Sequence, residues 1–136
     1  MTDIVVTALT IAREAGGESL EGKIAVGQSI RNRVMRPKWW GENFTDVCRK
    51  KEQYSSMTHK GDVNLTKFFS VNDPVWMDSM WVAEGVVKGS LHYNPVPGAD
   101  SYHDISVEAP YWADPAKFVK HIGRLRFFDL DEDYER

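Results

Sequence analysis

Apolar residues recur at helical spacing from the start of the chain. Ile4, Ala8, Ile11, Ala12 and Ala15 fall at i, i+4, i+7, i+8 and i+11, the stripe of an amphipathic helix that Thr2 or Asp3 is placed to cap. Gly16-Gly17 ends that stripe and leaves Glu14 in the last turn, at the negative end of the helix dipole. An acid there is expected to hold its proton more firmly. A second stripe, Leu20, Ile24, Gly27, Ile30 and Val34, stops before Pro37, and Gly27 lets another backbone come close. Together the two stripes predict a helical hairpin. From Trp39 to Asn72 no period of either kind is sustained, which predicts a long connection of the sort that carries function. Asp73-Pro74 reads as N-cap and first residue of a third helix, with Trp76, Met80, Ala83 and Val87 on one face and Gly89 closing it. Pro95, Pro97 and Gly98 break the next segment, and the stretch FVKHIGRLRFFDL is short and β-leaning, so a small sheet or hairpin should pack on the helices. The expected fold class is α+β, mainly helical with a minor β element.

Composition narrows this to one domain spanning residues 1–136. With 42% hydrophobic residues, a chain of 136 can bury one core but not two. Its net charge of -3 and pI near 5.8 give no overall basic field, so no nucleic-acid partner is expected. The basic residues Arg31, Arg33, Arg36, Lys38, Arg49, Lys50 and Lys51 read as a solvated helix face. Cys48 is the only cysteine, which excludes an intrachain disulfide, and its basic flank is expected to lower the thiol pKa. The first residues lack a basic n-region and a continuous apolar core, and no run approaches about 18 apolar residues. A protein made in the cytoplasm without a classical signal peptide, not inserted in a membrane, is the expectation.

Several chemistries lack their residues. His59, His92, His103 and His121 form no H-E-x-x-H unit, and C-x-x-C, P-loop, G-x-G-x-x-G and G-x-S-x-G motifs are absent. No metal or organic cofactor is therefore expected. Carboxylate chemistry is left, carried by Glu14, Glu18 and Glu21 around the glycine pair. Cleaving a glycosidic bond requires a carboxylic acid that stays protonated until it meets the leaving oxygen, and burial against aromatic surface favours that form. Spacing alone does not separate this role from three surface charges near helix ends.

A family resemblance does separate them. Glu14-Ala15, Gly17-Glu18, Glu21-Gly22, Ala25-Val26-Gly27 and Asn32-Arg33-Val34 resemble the opening motif of the SleB/CwlJ-type cell wall hydrolases, which cleave peptidoglycan. Gln53-Tyr54-Ser55, Tyr102-His103, Pro110-Tyr111-Trp112-Ala113, and Ile122-Gly123 with Phe127-Phe128 resemble later units of the family, in the same order. The chain departs from the pattern at Arg13, where a Gly is common, at Leu125, where a His is usual, and in a rearranged and lengthened central loop.

The resemblance implies a small lysozyme-like domain that cuts between MurNAc and GlcNAc, with Glu14 as the catalytic acid. Glu18, Gln53, Tyr54, Ser55, Tyr102, His103 and Trp112 are then expected at the substrate. Glu18 is expected to hold the glycine turn or line the cleft, and Glu21 to favour the start of the second helix. A single acid suits lytic transglycosylation, with muramidase-type hydrolysis by the same acid as the alternative. A monomeric phage endolysin acting on the bacterial cell wall is the expected setting. The competing class is a non-catalytic glycan-binding or virion structural protein. A metal-dependent or cysteine amidase would need ligands or a nucleophile that the sequence does not assemble.

Overall fold

The computed structural model describes residues 2–36, 40–50, 54–58, 62, 64 and 67–131, without the side chains of residues 55 and 58. Helix α1 (Asp3–Ala15) starts at Thr2, whose Oγ1 accepts a hydrogen bond from Val5 N at 3.3 Å. Asp3, the other candidate cap, accepts from Thr45 N at 3.1 Å and so ties α1 to a later helix. Ser19 caps α2 (Leu20–Val34), with Glu21 in its first turn. Helix α5 (Pro74–Lys88) begins and ends as the sequence predicts. Asp73 accepts from Val75 N at 2.8 Å, Pro74 opens the helix, and Gly89 leaves it in the left-handed region at φ +74°.

These three helices pack on one another around a core that includes Ile11, Ile24, Val26, Ile30, Val82 and Val86. At Gly27 they approach closely. A Cβ there would lie 2.7 Å from Val82 Cγ1 and 3.4 Å from Ile11 Cδ1. The buried face of α5 is turned from the predicted one. Ser79, Val82, Ala83 and Val86 are buried, while Trp76, Met80 and Val87 sit half-buried at its margin. Helix α5 meets both α1 and α2, so its middle accepts only short side chains and the large ones move to the edges.

Between α2 and α5 the structure finds two helices that the sequence pattern does not announce, α3 (Phe44–Arg49) and α4 (Ser55–Thr58). Neither spans two full turns, too few residues to display a period. Helix α3 buries Phe44, Val47 and Cys48, and α1 is among the elements it packs against. The expected lowering of the Cys48 thiol pKa is reversed: burial pushes it up to about 11, against weaker opposing effects from Thr10, Thr7 and Arg33. Desolvation of the thiolate outweighs its basic flank.

The C-terminal part forms a three-stranded antiparallel sheet of order β1-β3-β2, with β1 (Ser101–Asp104), β2 (Phe118–Ile122) and β3 (Leu125–Phe128). Ile122, Leu125 and Phe127 join the helical core. Leu125, which stands where the family usually has His, is thus an apolar core residue with 4% exposure. A histidine there would have to bury its imidazole among hydrocarbons.

The end of α2 fastens the sheet. Asn32 Nδ2 donates to Ala99 O at 2.7 Å, Arg33 Nε donates to Asp100 O, and Arg36 donates to Gly98 O at 3.0 Å. Arg36 also pairs with the buried Asp100 carboxylate at 2.8 Å, which accepts from Ser101, Leu130 and Asp131 as well. The Asn-Arg unit of the sequence motif is therefore a backbone staple that holds β1 in place. No described helix is long and apolar enough to cross a membrane.

Candidate active site

Glu14 lies one residue from the end of α1 and is half-buried. The stripe that buries Ile11, Ala12 and Ala15 turns Glu14 partly out of the core. Tyr102 meets it from the sheet, donating from its hydroxyl to Glu14 Oε1 at 2.8 Å. Strand alternation points Tyr102 inward, and its ring leans on Phe127 with centroids 5.5 Å apart. Burial, reinforced by the Glu14 charge, raises the Tyr102 phenol well above its ordinary range, so it stays protonated as a donor.

Tyr54 completes the inner wall of this region. Its side chain is 1% exposed and lies under the Arg33 guanidinium, 4.8 Å from the ring centroid. Burial raises its phenol pKa, Arg33 opposes that, and the Glu14 charge adds to it. Glu14, Tyr54 and Tyr102 therefore share one electrostatic neighbourhood. Tyr54, at 1% exposure, is closed to a ligand from solvent.

Arg13 ties the central loop to the same end of α1. Its Nε donates to Lys67 O at 2.8 Å, a terminal nitrogen donates to Ser56 O at 3.2 Å, and the guanidinium lies 5.0 Å from the Phe68 ring centroid. Burial lowers its pKa, opposed by the charge of Asp62. Phe68 is exposed, and next to it Phe69 stacks on Trp76 at 6.3 Å. The departure at position 13 was the one sequence signal for this clamp.

The other expected site residues are dispersed. Glu18 Oε1 accepts from Arg124 N at 3.1 Å in the turn between β2 and β3. That turn requires glycine: Gly123 has φ +57°, and a Cβ on it would sit 2.2 Å from Glu18 Oε1. The glycine turn that Glu18 holds is therefore the one at 123, distant in sequence from Gly16-Gly17. Glu21 is exposed and accepts from the Tyr93 hydroxyl, a bond that raises the Tyr93 phenol.

His103 follows Tyr102 on β1 and so points to the opposite face. There it stacks on Phe128 at 5.6 Å and meets the edge of Trp112 at 5.9 Å. The structure thus brings Glu14, Tyr54 and Tyr102 together and puts His103 and Trp112 on the far side of the sheet. Gln53 lies outside the described residues, and Ser55 is in α4 with its side chain outside them. Among the described residues, no group of three His, Cys, Asp or Glu side chains gathers as metal ligands would.

The family model described as Cell Wall Hydrolase matches residues 17–128, a span that begins three residues after Glu14. Among solved structures, the catalytic domain of the Bacillus cereus SleB protein superposes with a TM-score of 0.70 at 20% identity, covering 93% of this chain and 88% of that one. This likeness shows a shared fold. No curated protein matches the chain.

Proposed function

Since the chain belongs to the cell wall hydrolase family, we propose that it cleaves the peptidoglycan backbone between MurNAc and GlcNAc, with Glu14 as general acid. The observation that carries this reading is the hydrogen bond from Tyr102 to Glu14 Oε1 at 2.8 Å. It fixes the carboxyl group between a helix end and a strand and leaves Oε2 to carry the transferable proton. Glu18 is turned to Arg124 N in the β2–β3 turn and Glu21 is exposed against Tyr93, whereas Glu14 faces Tyr102, a residue of the family-like motifs, which supports assigning the acid to it.

With one acid, lytic transglycosylation follows economically. Glu14 protonates the leaving O4 of GlcNAc as the C1–O4 bond breaks, and the resulting carboxylate takes the proton of the MurNAc C6 hydroxyl as that oxygen bonds to C1. The product carries a 1,6-anhydro end, and no water is consumed. A two-carboxylate glycosidase would instead hold a second group roughly 5–9.5 Å from the acid. Mass spectrometry of fragments released from purified peptidoglycan tests the proposal. Anhydro-MurNAc ends are expected. Reducing MurNAc ends alone would make the enzyme a muramidase, and release of intact stem peptides from uncut glycan would make it an amidase.

A further inference from the structure

The outer face of the sheet, turned away from Glu14, carries a row of side chains across all three strands. His103 on β1 and His121 on β2 are both in register with Arg126 on the central strand β3. A pocket of about 340 Å³ opens there, with His103 and Arg126 as its polar lining and Ile105, Val107, Pro115 and Phe128 among its apolar walls. This volume falls within the range of small-ligand sites. Trp112 stands edge-on to Phe128, and the phenyl ring of Phe118 carries the Arg126 guanidinium at 4.6 Å.

Charge is the selective feature. Arg126 has no carboxylate partner among the described residues. Of the acids near the row, Asp104 pairs with Arg124 at 3.2 Å and accepts from Ser106 N, Asp129 pairs with Arg36 at 3.2 Å, Asp114 accepts from Ala116 N at 2.9 Å, and Glu108, exposed between the lining residues Val107 and Ala109, makes no ion pair with Arg126. His103 Nδ1 lies 3.1 Å from Asp104 O, which keeps Nε2 for a ligand. A guanidinium without a counter-ion, bordered by aliphatic and aromatic walls, suits a carboxylate carried on a small apolar body.

We propose that this pocket binds the stem peptide of the strand being cleaved, through one of the peptide's carboxylates. The inference rests on the reading of the chain as a peptidoglycan-cleaving enzyme. Stem peptides combine short aliphatic side chains with free carboxylates, which meets both halves of the pocket's chemistry. A neutral sugar meets neither. The pocket would then select peptide-bearing strands while Glu14 acts on the other side of the sheet.

The test is an NMR titration of the whole protein with three probes: a stem tetrapeptide with free carboxylates, the same peptide with its carboxylates amidated, and a neutral GlcNAc tetramer. Saturable shifts of the His103, Arg126 and Phe128 amides are expected with the free peptide, at least tenfold weaker with the amidated one and absent with the sugar. Arg126→Gln should weaken the free peptide at least tenfold, and Arg126→Lys, which keeps the charge, should recover part of the loss. Equal binding of both peptides, movement of the same amides by the GlcNAc tetramer, or unchanged binding in folded Arg126→Gln would overturn the site. A protein that binds the peptide yet releases no glycan fragments would overturn the enzymatic reading alone. Fragment release without peptide binding would overturn the site alone.

Discussion

Glu14 and Tyr102 are joined by one hydrogen bond across 88 residues of chain, and two substitutions separate their roles. Glu14→Gln keeps the shape and removes the transferable proton, so turnover should fall roughly 10²–10⁴ fold. Circular dichroism should show the fold intact, and a folded Glu14→Gln protein that clears peptidoglycan at the parent rate would refute the assignment. Tyr102→Phe keeps the ring on Phe127 and removes only the donor. Hydrogen bonds to charged groups contribute about 1.5–3 kcal/mol, so turnover should drop roughly 10–100 fold with KM changed less than twofold. A change confined to KM would make Tyr102 a binding residue and not the group that positions the acid. Position along α1 placed Glu14 correctly in the last turn, but nothing local to residue 102 announces the partner it meets.

Among the elements, the close approach of α2 and α5 at Gly27 sets two effects against each other. Alanine in a helix interior gains up to about 1 kcal/mol over glycine. Its Cβ would also be forced to 2.7 Å from Val82 Cγ1, in a core with little room to give, and overpacking of that kind costs about 1–3 kcal/mol. Overpacking wins, so Gly27→Ala should lower the urea unfolding free energy by roughly 1–2 kcal/mol. Gly17→Ala is the control. Its Cβ would meet nothing within 4 Å, and stability should stay within about 0.5 kcal/mol of the parent. Equal behaviour of the two variants would show that the helices do not meet at Gly27.

For the whole molecule, three acids, the buried Cys48 and Tyr54 and the partly buried Tyr102, govern the response to alkali. Burial raises Cys48 from its ordinary 9.0 to about 11, and it raises Tyr54 and Tyr102 above their ordinary 10.0. Each group binds its proton more tightly folded than unfolded. Their contribution to stability is therefore complete below about pH 9, where the unfolded chain is still protonated, and is lost as pH rises towards and through the folded values. The urea midpoint should be flat from pH 7 to about 9 and then decline, and Cys48→Ala should reduce the slope between 9 and about 11. A midpoint that rose across that interval would contradict the burial of all three.

The sequence by itself determined the frame: α1, α2 and α5, the caps at Asp73 and Gly89, the end of α1 at Gly16, and a small β element after Gly98. Each depends on periodicity or on a residue's own backbone preference within a turn or two, so it can be read along the chain. Its ordered motifs also carried the family, which the match over residues 17–128 shows. Tertiary structure alone decided which motif residues meet. Tyr102 and His103 are neighbours in sequence, yet strand alternation sends one to Glu14 and the other to the far face, and a shift of one residue in register would exchange them. It also decided that Tyr54 and Cys48 are buried and that Asn32, Arg33 and Arg36 clamp the sheet, because those outcomes depend on how separate elements pack. Desolvation and long-range hydrogen bonds arise only once distant segments share a core, and no local pattern encodes them.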